Sequence, residues 1–149
     1  MDVRIAYCGL YCGACKIFIA TAENALDDIV KQSKIPLEYL SCDGCRSGKI
    51  NLCCMNCGIR RCCIMKKIYS CNECEEFPCS VLIAFDTDEY PHHHGVIESL
   101  KRLSELGAVQ WLEMQHKRWN CKSCHTPFHW YEKNCEKCGS EVPGYKRIS

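Results

Sequence analysis

Cys8-Gly9-Leu10-Tyr11-Cys12-Gly13-Ala14-Cys15 sets three thiols within eight residues near the start of the chain. A glycine follows each of the first two, giving a backbone free to wrap sulfur around a metal ion. Ten further cysteines fall between Cys42 and Cys79, and four more, Cys121, Cys124, Cys135 and Cys138, lie near the C-terminus. This cysteine usage decides what kind of fold the chain can have. Of its 149 residues 47% count as hydrophobic, but 17 of those are cysteine, which leaves a thin oily core. Metal sites are expected to make up the missing burial.

Three features favour metal thiolates over disulfides. The chain begins Met1-Asp2-Val3-Arg4 without a basic and then apolar leader, which predicts a reducing, cytoplasmic setting. The cysteine count is odd, and most cysteines fall in C-x2-C pairs, a spacing that suits one tetrahedral ion. No run of 18 apolar residues predicts a membrane span. The formal charge of +1 overstates the positive character, because metal binding deprotonates thiols. Residues 1–100 carry 10 Lys and Arg against 13 Asp and Glu, and residues 101–149 carry 9 against 5. Without a strong basic footprint, nucleic acid is a disfavoured partner.

After Cys15, residues 16–32 read as one helix, with Phe18, Ala22, Ala25, Leu26 and Ile29 on one face. Its N-terminal N–H groups would lie near anionic sulfur. Pro36 can open a short helical turn through Leu40. Cys54-x2-Cys57-x4-Cys62 recurs 17 residues later as Cys71-x2-Cys74-x4-Cys79, which reads as two similar half-sites, each followed by an apolar run. Val96, Ile97, Leu100, Leu103 and Leu106 make a helical stripe closed by Gly107. A second helix from Ala108 is expected to turn Val109 and Leu112 inward, giving an antiparallel or kinked pair.

Cys121-x2-Cys124-x10-Cys135-x2-Cys138-Gly139 has the two knuckles of a four-thiolate zinc ribbon, with a strand expected over residues 127–131. The same ligands would accept iron. Cys53 and Cys63 adjoin Cys54 and Cys62, and neighbouring thiols seldom share a metal. Setting them aside leaves the triples 8/12/15, 54/57/62 and 71/74/79 and the pair Cys42/Cys45. These divide as four, four and three, and Cys8, Cys12 and Cys15 form the candidate cofactor site with an open position. Thiolate ligation admits zinc or an iron–sulfur cluster in residues 1–85, and the irregular triples favour at least one cluster. The spacing of Cys8, Cys12 and Cys15 also resembles the cluster motif of radical S-adenosylmethionine enzymes. The chain is too short for the barrel of about 200 residues or more that such enzymes need. Arg60, Arg61, Lys66 and Lys67 could lower thiol pKa values but read better as a solvated face. His92-His93-His94 points in several directions and reads as a surface or helix-start run. His125, His129, Trp130 and Tyr131 could stack on bases, though packing of a small ribbon accounts for them equally.

Taken together, the motifs resemble the domain-of-unknown-function family 3795, cysteine-rich proteins of anaerobic bacteria and archaea. The resemblance rests on Cys8–Cys15, on Cys42-Asp43-Gly44-Cys45-Arg46, and on Cys54, Cys57, Ile59, Arg60 and Cys62. It continues through Cys71, Cys74, Phe77, Pro78 and Cys79, with one extra glutamate, and through Lys117-Arg118-Trp119 before Cys121. It implies metal binding without an activity.

The expected architecture is a small, metal-stabilised, mostly α and irregular cysteine-rich domain over residues 1–85. A helix pair follows over 86–118, and a C-terminal β zinc ribbon over 119–149. The expected role is metal binding, with zinc in the ribbon and an iron–sulfur cluster or further zinc before it, serving a protein or redox partner. Two alternatives stand beside it. One is a metalloenzyme whose open three-cysteine site takes a small sulfur-containing or anionic substrate; the other is a zinc-only module touching nucleic acid.

Overall fold

The computed structural model describes residues 2–147. The protein is small, cysteine-rich and largely helical. Helices α1 (Lys16–Ala22), α2 (Asp27–Ser33) and α3 (Leu37–Leu40) follow the first cysteine loop, and α4 (Leu52–Met55), α5 (Gly58–Lys66) and α6 (Ser80–Asp86) carry the middle cysteines. The long α7 (Val96–Trp119) leads into the C-terminal module.

The helix expected over 16–32 is two. Asn24 takes φ 52°, a left-handed conformation that asparagine tolerates better than most residues, and it turns the chain between them. The turn lets Ala20 and Leu26 meet Leu40 in a small satellite core, and Asp27 and Asp28 then face the positive end of α2. The turn after Pro36 forms α3, as the sequence indicates.

Gly107 breaks α7 with φ 79° and ψ 166°, giving the kinked pair. The break resets the helical phase. Before it, Val96, Leu100 and Leu103 are buried; after it the inward stripe is Trp111, Gln115 and Trp119, at i→i+4 spacing. Val109, expected inward, is 71% exposed, because it stands about 200° around the helix from Trp111. Leu112 packs at the core edge.

One apolar core draws on all three stretches of the chain, from Ile5 and Ala14 through Leu100 and Trp111 to Phe128 and Val142. The residue 8–15 loop docks on α7 through Ser99 Oγ, which donates to Gly9 O at 2.9 Å. Gly9 sits at φ 89°, and a Cβ there would meet Leu100 Cγ at 2.6 Å and Val96 O at 3.1 Å. Gly9→Ala is expected to cost about 2–4 kcal/mol, from left-handed strain and overpacking together. A lower urea midpoint at unchanged m-value would show it; an unchanged midpoint would refute it.

The expected β ribbon is a correction. Among the described residues no β-strand forms, and the C-terminal module is closed only by the isolated bridges Asn120↔Pro127 and Asn134↔Glu141. Pro127 has no N–H to extend a ladder. The backbone of the 127–131 run is committed elsewhere: Trp130 N–H donates to Ala14 O at 3.0 Å, and Trp130 O accepts from Tyr145 N–H.

Candidate metal centres

The C-terminal cysteines sit on two copies of one local design. In the first, Cys121 N–H donates to Thr126 O and His125 N–H donates back to Cys121 O; in the second, Cys135 N–H donates to Ser140 O and Gly139 N–H to Cys135 O. His125 and Gly139 hold the same left-handed turn position, at φ 62° and 78°. Asn120 Nδ2 donates to His125 O at 2.8 Å and Asn134 Nδ2 to Gly139 O at 3.3 Å. Thr126 Oγ1 lies 3.2 Å from Cys124 Sγ, and Ser140 Oγ 3.3 Å from Cys138 Sγ. A 14-residue repeat, Asn-Cys-x2-Cys-x-(Thr/Ser), therefore underlies the module. Its asparagines and hydroxyls were legible in the sequence but passed unremarked beside the cysteines.

The two turns bring Cys121, Cys124, Cys135 and Cys138 together with all sulfurs within 4.8 Å of one another. Cys121 Sγ is 3.6 Å from Cys138 Sγ, and Cys124 Sγ is 3.5 Å from Cys135 Sγ. A tetrahedron with Zn–S of about 2.3 Å has edges of about 3.8 Å, so the spacing fits a single ion. The Thr126 hydroxyl and N–H pull Cys124 down to about 6, and the Ser140 hydroxyl pulls Cys138 down. Both favour the thiolate that a metal needs. These four thiols could hold a metal ion.

The other thirteen cysteines are also free thiols. Three helices start directly from one: Cys15 caps α1, Cys57 caps α5 and Cys79 caps α6. Burial pushes the Cys15 thiol up, and the backbone N–H groups of Phe18 and Ile17 oppose that, as expected for sulfur at a helix start. Cys42 N–H donates to Thr21 Oγ1 at 3.0 Å, and Gly44 N–H donates to Cys42 Sγ at 3.4 Å.

Among the described residues, none of the three sequence triples brings its sulfurs within 4.8 Å of one another. Cys12 is hydrogen-bonded to Cys45, from the central pair, which raises Cys12 and lowers Cys45 to about 6; the nearby Arg46 and Arg60 help hold Cys45 down. Burial raises Cys8, which also feels Cys45, Cys57 and Cys54. Burial raises Cys54 to about 12, with Cys42 and Cys15 adding repulsion. Cys71 lies against Cys63, their sulfurs 3.6 Å apart, and also feels Cys8 and Cys79. Cys74 Sγ accepts from Lys66 Nζ at 3.3 Å.

Of the doublet 62/63, it is Cys63 that is buried and Cys62 that is exposed. Cys63 shares its face of α5 with the buried Ile59, four residues earlier, while Cys62, the expected ligand, faces outward. Cys53 is exposed.

Arg46 was missed as a site residue. Its guanidinium lies between the Tyr7 and Tyr69 rings, 4.1 and 4.0 Å from their centres. Its Nε donates to Ile5 O at 2.6 Å and its Nη2 to Tyr69 O. Two of the four cations read as a solvated face also engage the site: Arg60 Nε donates to Cys45 O at 2.8 Å, and Lys66 reaches Cys74. Arg61 and Lys67 are exposed.

The histidine run packs. His92 stacks on Trp130, with centres 4.2 Å apart and planes at 13°, and its Nδ1 meets Tyr131 Oη at 2.5 Å. His93 stacks on Phe85 and bonds Asp88, while His94 Nε2 reaches Asp88 O. The ring face of Trp130 offered for base stacking is thus used internally. Burial pushes His92 down to about 4. Its unfolded value lies near 6.5, so unfolding takes up protons below neutrality. The stability it contributes is full above about pH 6.5 and is lost as pH falls toward 4. Melting temperature is expected to drop between pH 7 and 5 less steeply in His92→Gln than in the wild type; equal slopes would remove this account.

His129, Glu132 and Glu136 also bring ligand atoms within 4.8 Å of one another. His129 Nδ1 accepts from Tyr131 N–H at 3.1 Å, and burial keeps the ring neutral. Its proton therefore sits on Nε2, 3.6 Å from Glu132 Oε1, and neither nitrogen offers a free lone pair. Burial, with the charge of Glu136, raises Glu132 to about 7. This group shares protons and is a poor cation site.

A family model described as "Protein of unknown function (DUF3795)" matches residues 4–84, more than half of the chain. The chain belongs to this family. The DUF3795 region spans all thirteen cysteines of the first part and stops within α6, short of the C-terminal knuckles. No curated protein and no solved structure matches the chain.

Proposed function

We propose that this DUF3795 protein is a two-centre metal protein. In this reading a zinc ion binds the knuckle cysteines 121, 124, 135 and 138, and an iron–sulfur cluster is held among the cysteines of residues 8–79. The observation that carries it is the 3.5–3.6 Å spacing of the C-terminal sulfurs, which supports a single tetrahedral ion. The N-terminal thiols meet in pairs from separate stretches, Cys12 with Cys45 and Cys63 with Cys71. Such cross-chain pairing supports ligation by cysteines of several motifs, as clusters allow. Arg46 and Arg60 beside them would offset thiolate charge. The centres would shape a surface for a protein or redox partner.

The test is anaerobic purification of the full chain with zinc, iron and acid-labile sulfide analysis, repeated for Cys124→Ser. About one zinc should be lost from the variant while iron and sulfide stay. A colourless protein with zinc alone would eliminate the cluster, and metal-free protein with unchanged melting would eliminate both centres.

A further inference from the structure

We infer that the cleft between the residue 8–15 loop, α7 and the C-terminal module binds a small organic anion. The cleft has a volume of about 290 Å³, near the small end of ligand pockets, which suits a metabolite-sized occupant. Gln115 lines it. This side chain is on the buried stripe of α7, with the residue only 9% exposed, yet among the described residues its amide has no hydrogen-bond partner. Its polar atoms are not fully enclosed and open onto the cleft, where a ligand can supply the partner.

Charge sets the ligand's class. Arg102 and Arg118 line the cleft against a single acid, Glu98. Arg118 is held in place, its Nη2 donating to Tyr145 Oη at 2.9 Å and its guanidinium 4.9 Å from the Trp119 ring centre. Its remaining N–H groups are available to an oxyanion. Arg102 makes only an exposed 3.5 Å contact with Glu105 and can turn inward. Leu10 and Met114 supply apolar wall. The matching ligand carries an anionic head for the arginines, a polar atom for Gln115 and a compact apolar body. Gly9 and Tyr11, neighbours of Cys8 and Cys12, form part of the wall, so an occupant rests against the backbone that carries those thiols. The inference does not depend on which metal those thiols hold.

The experiment titrates the full chain, as purified, with benzoate and with phenyl phosphate. It follows the Gln115 side-chain amide and the Trp119 and Trp130 indole N–H signals by NMR. At least one probe should give saturable shifts at these groups. Benzyl alcohol, the neutral counterpart of benzoate, should bind at least tenfold more weakly than the anion that binds. Arg102→Ala should weaken binding at least tenfold, and Lys101→Ala, on the same helix outside the cleft, should leave it unchanged. Arg102 is exposed, so its variant does not threaten the fold. Shifts that never saturate with either anion, equal affinity for benzyl alcohol, or an Arg102→Ala protein that binds like the wild type would overturn the inference.

Discussion

Cys135→Ser is expected to release about one zinc per chain and to lower the melting temperature by more than about 10 °C. Structural zinc sites contribute on the order of 10–16 kcal/mol in small peptides, far beyond any single packing contact. One kcal/mol corresponds to roughly 2–4 °C in a chain of this size. The loss would spread because the module is not a free appendage. Phe128 and Trp119 pack ring to ring at 5.4 Å in the common core, and Trp130 is tied by its backbone to Ala14. A rival account holds that Cys135 matters only as a buried small apolar residue, 3% exposed. Cys138 separates the two, since it is exposed. If the four sulfurs share one ion, Cys138→Ser should lose zinc and stability nearly as fully as Cys135→Ser. If packing alone matters, Cys138→Ser should melt with the wild type. Retained zinc in both variants would end the metal account of this module.

The two halves of the protein differ in how much of them could be read from the chain. Cysteines in the C-terminal module meet through local turns, and a turn is written in neighbouring residues. The two C-x2-C spacings and Gly139 were enough to place four sulfurs together. The surrounding hairpin was not, because Pro127 and the backbone bonds of Trp130 to Ala14 and Tyr145 divert the segment from strand pairing. Gly107 announced the break in α7 but not the new phase after it, which put Trp111 rather than Val109 in the core. In the DUF3795 region the pairing of Cys12 with Cys45, and of Cys63 with Cys71, depends on how distant segments dock. No spacing within a motif encodes that. Counting thiols by triples therefore says nothing of which cysteines from distant segments lie beside one another.

Arg46 is the side chain that does that docking, and Arg46→Ala is expected to cost about 3–5 kcal/mol. Two charge-assisted hydrogen bonds to backbone carbonyls are worth about 1.5–3 kcal/mol each, and stacking on an aromatic face adds about 0.5–2 kcal/mol. Arg46 combines both with residues from three separate stretches: Ile5 and Tyr7 before the first cysteine, its own position after Cys45, and Tyr69 before Cys71. The same guanidinium helps hold Cys45 and Cys63 below their usual range, after the dominant hydrogen bonds from Cys12 and Cys71. Arg46→Lys keeps the charge but cannot lie flat between two rings while donating sideways to both carbonyls. It should recover part of the electrostatic role and little of the docking. Thermal melts distinguish these contributions, and so does iron content if these thiols hold the proposed cluster. The alanine variant should lose about 10 °C and, on that reading, most of the iron, and the lysine variant should melt early yet retain more iron. If Arg46→Ala melts within about 1 °C of the wild type, the tyrosine sandwich is incidental, and apolar packing alone would have to hold the thiol-bearing segments together.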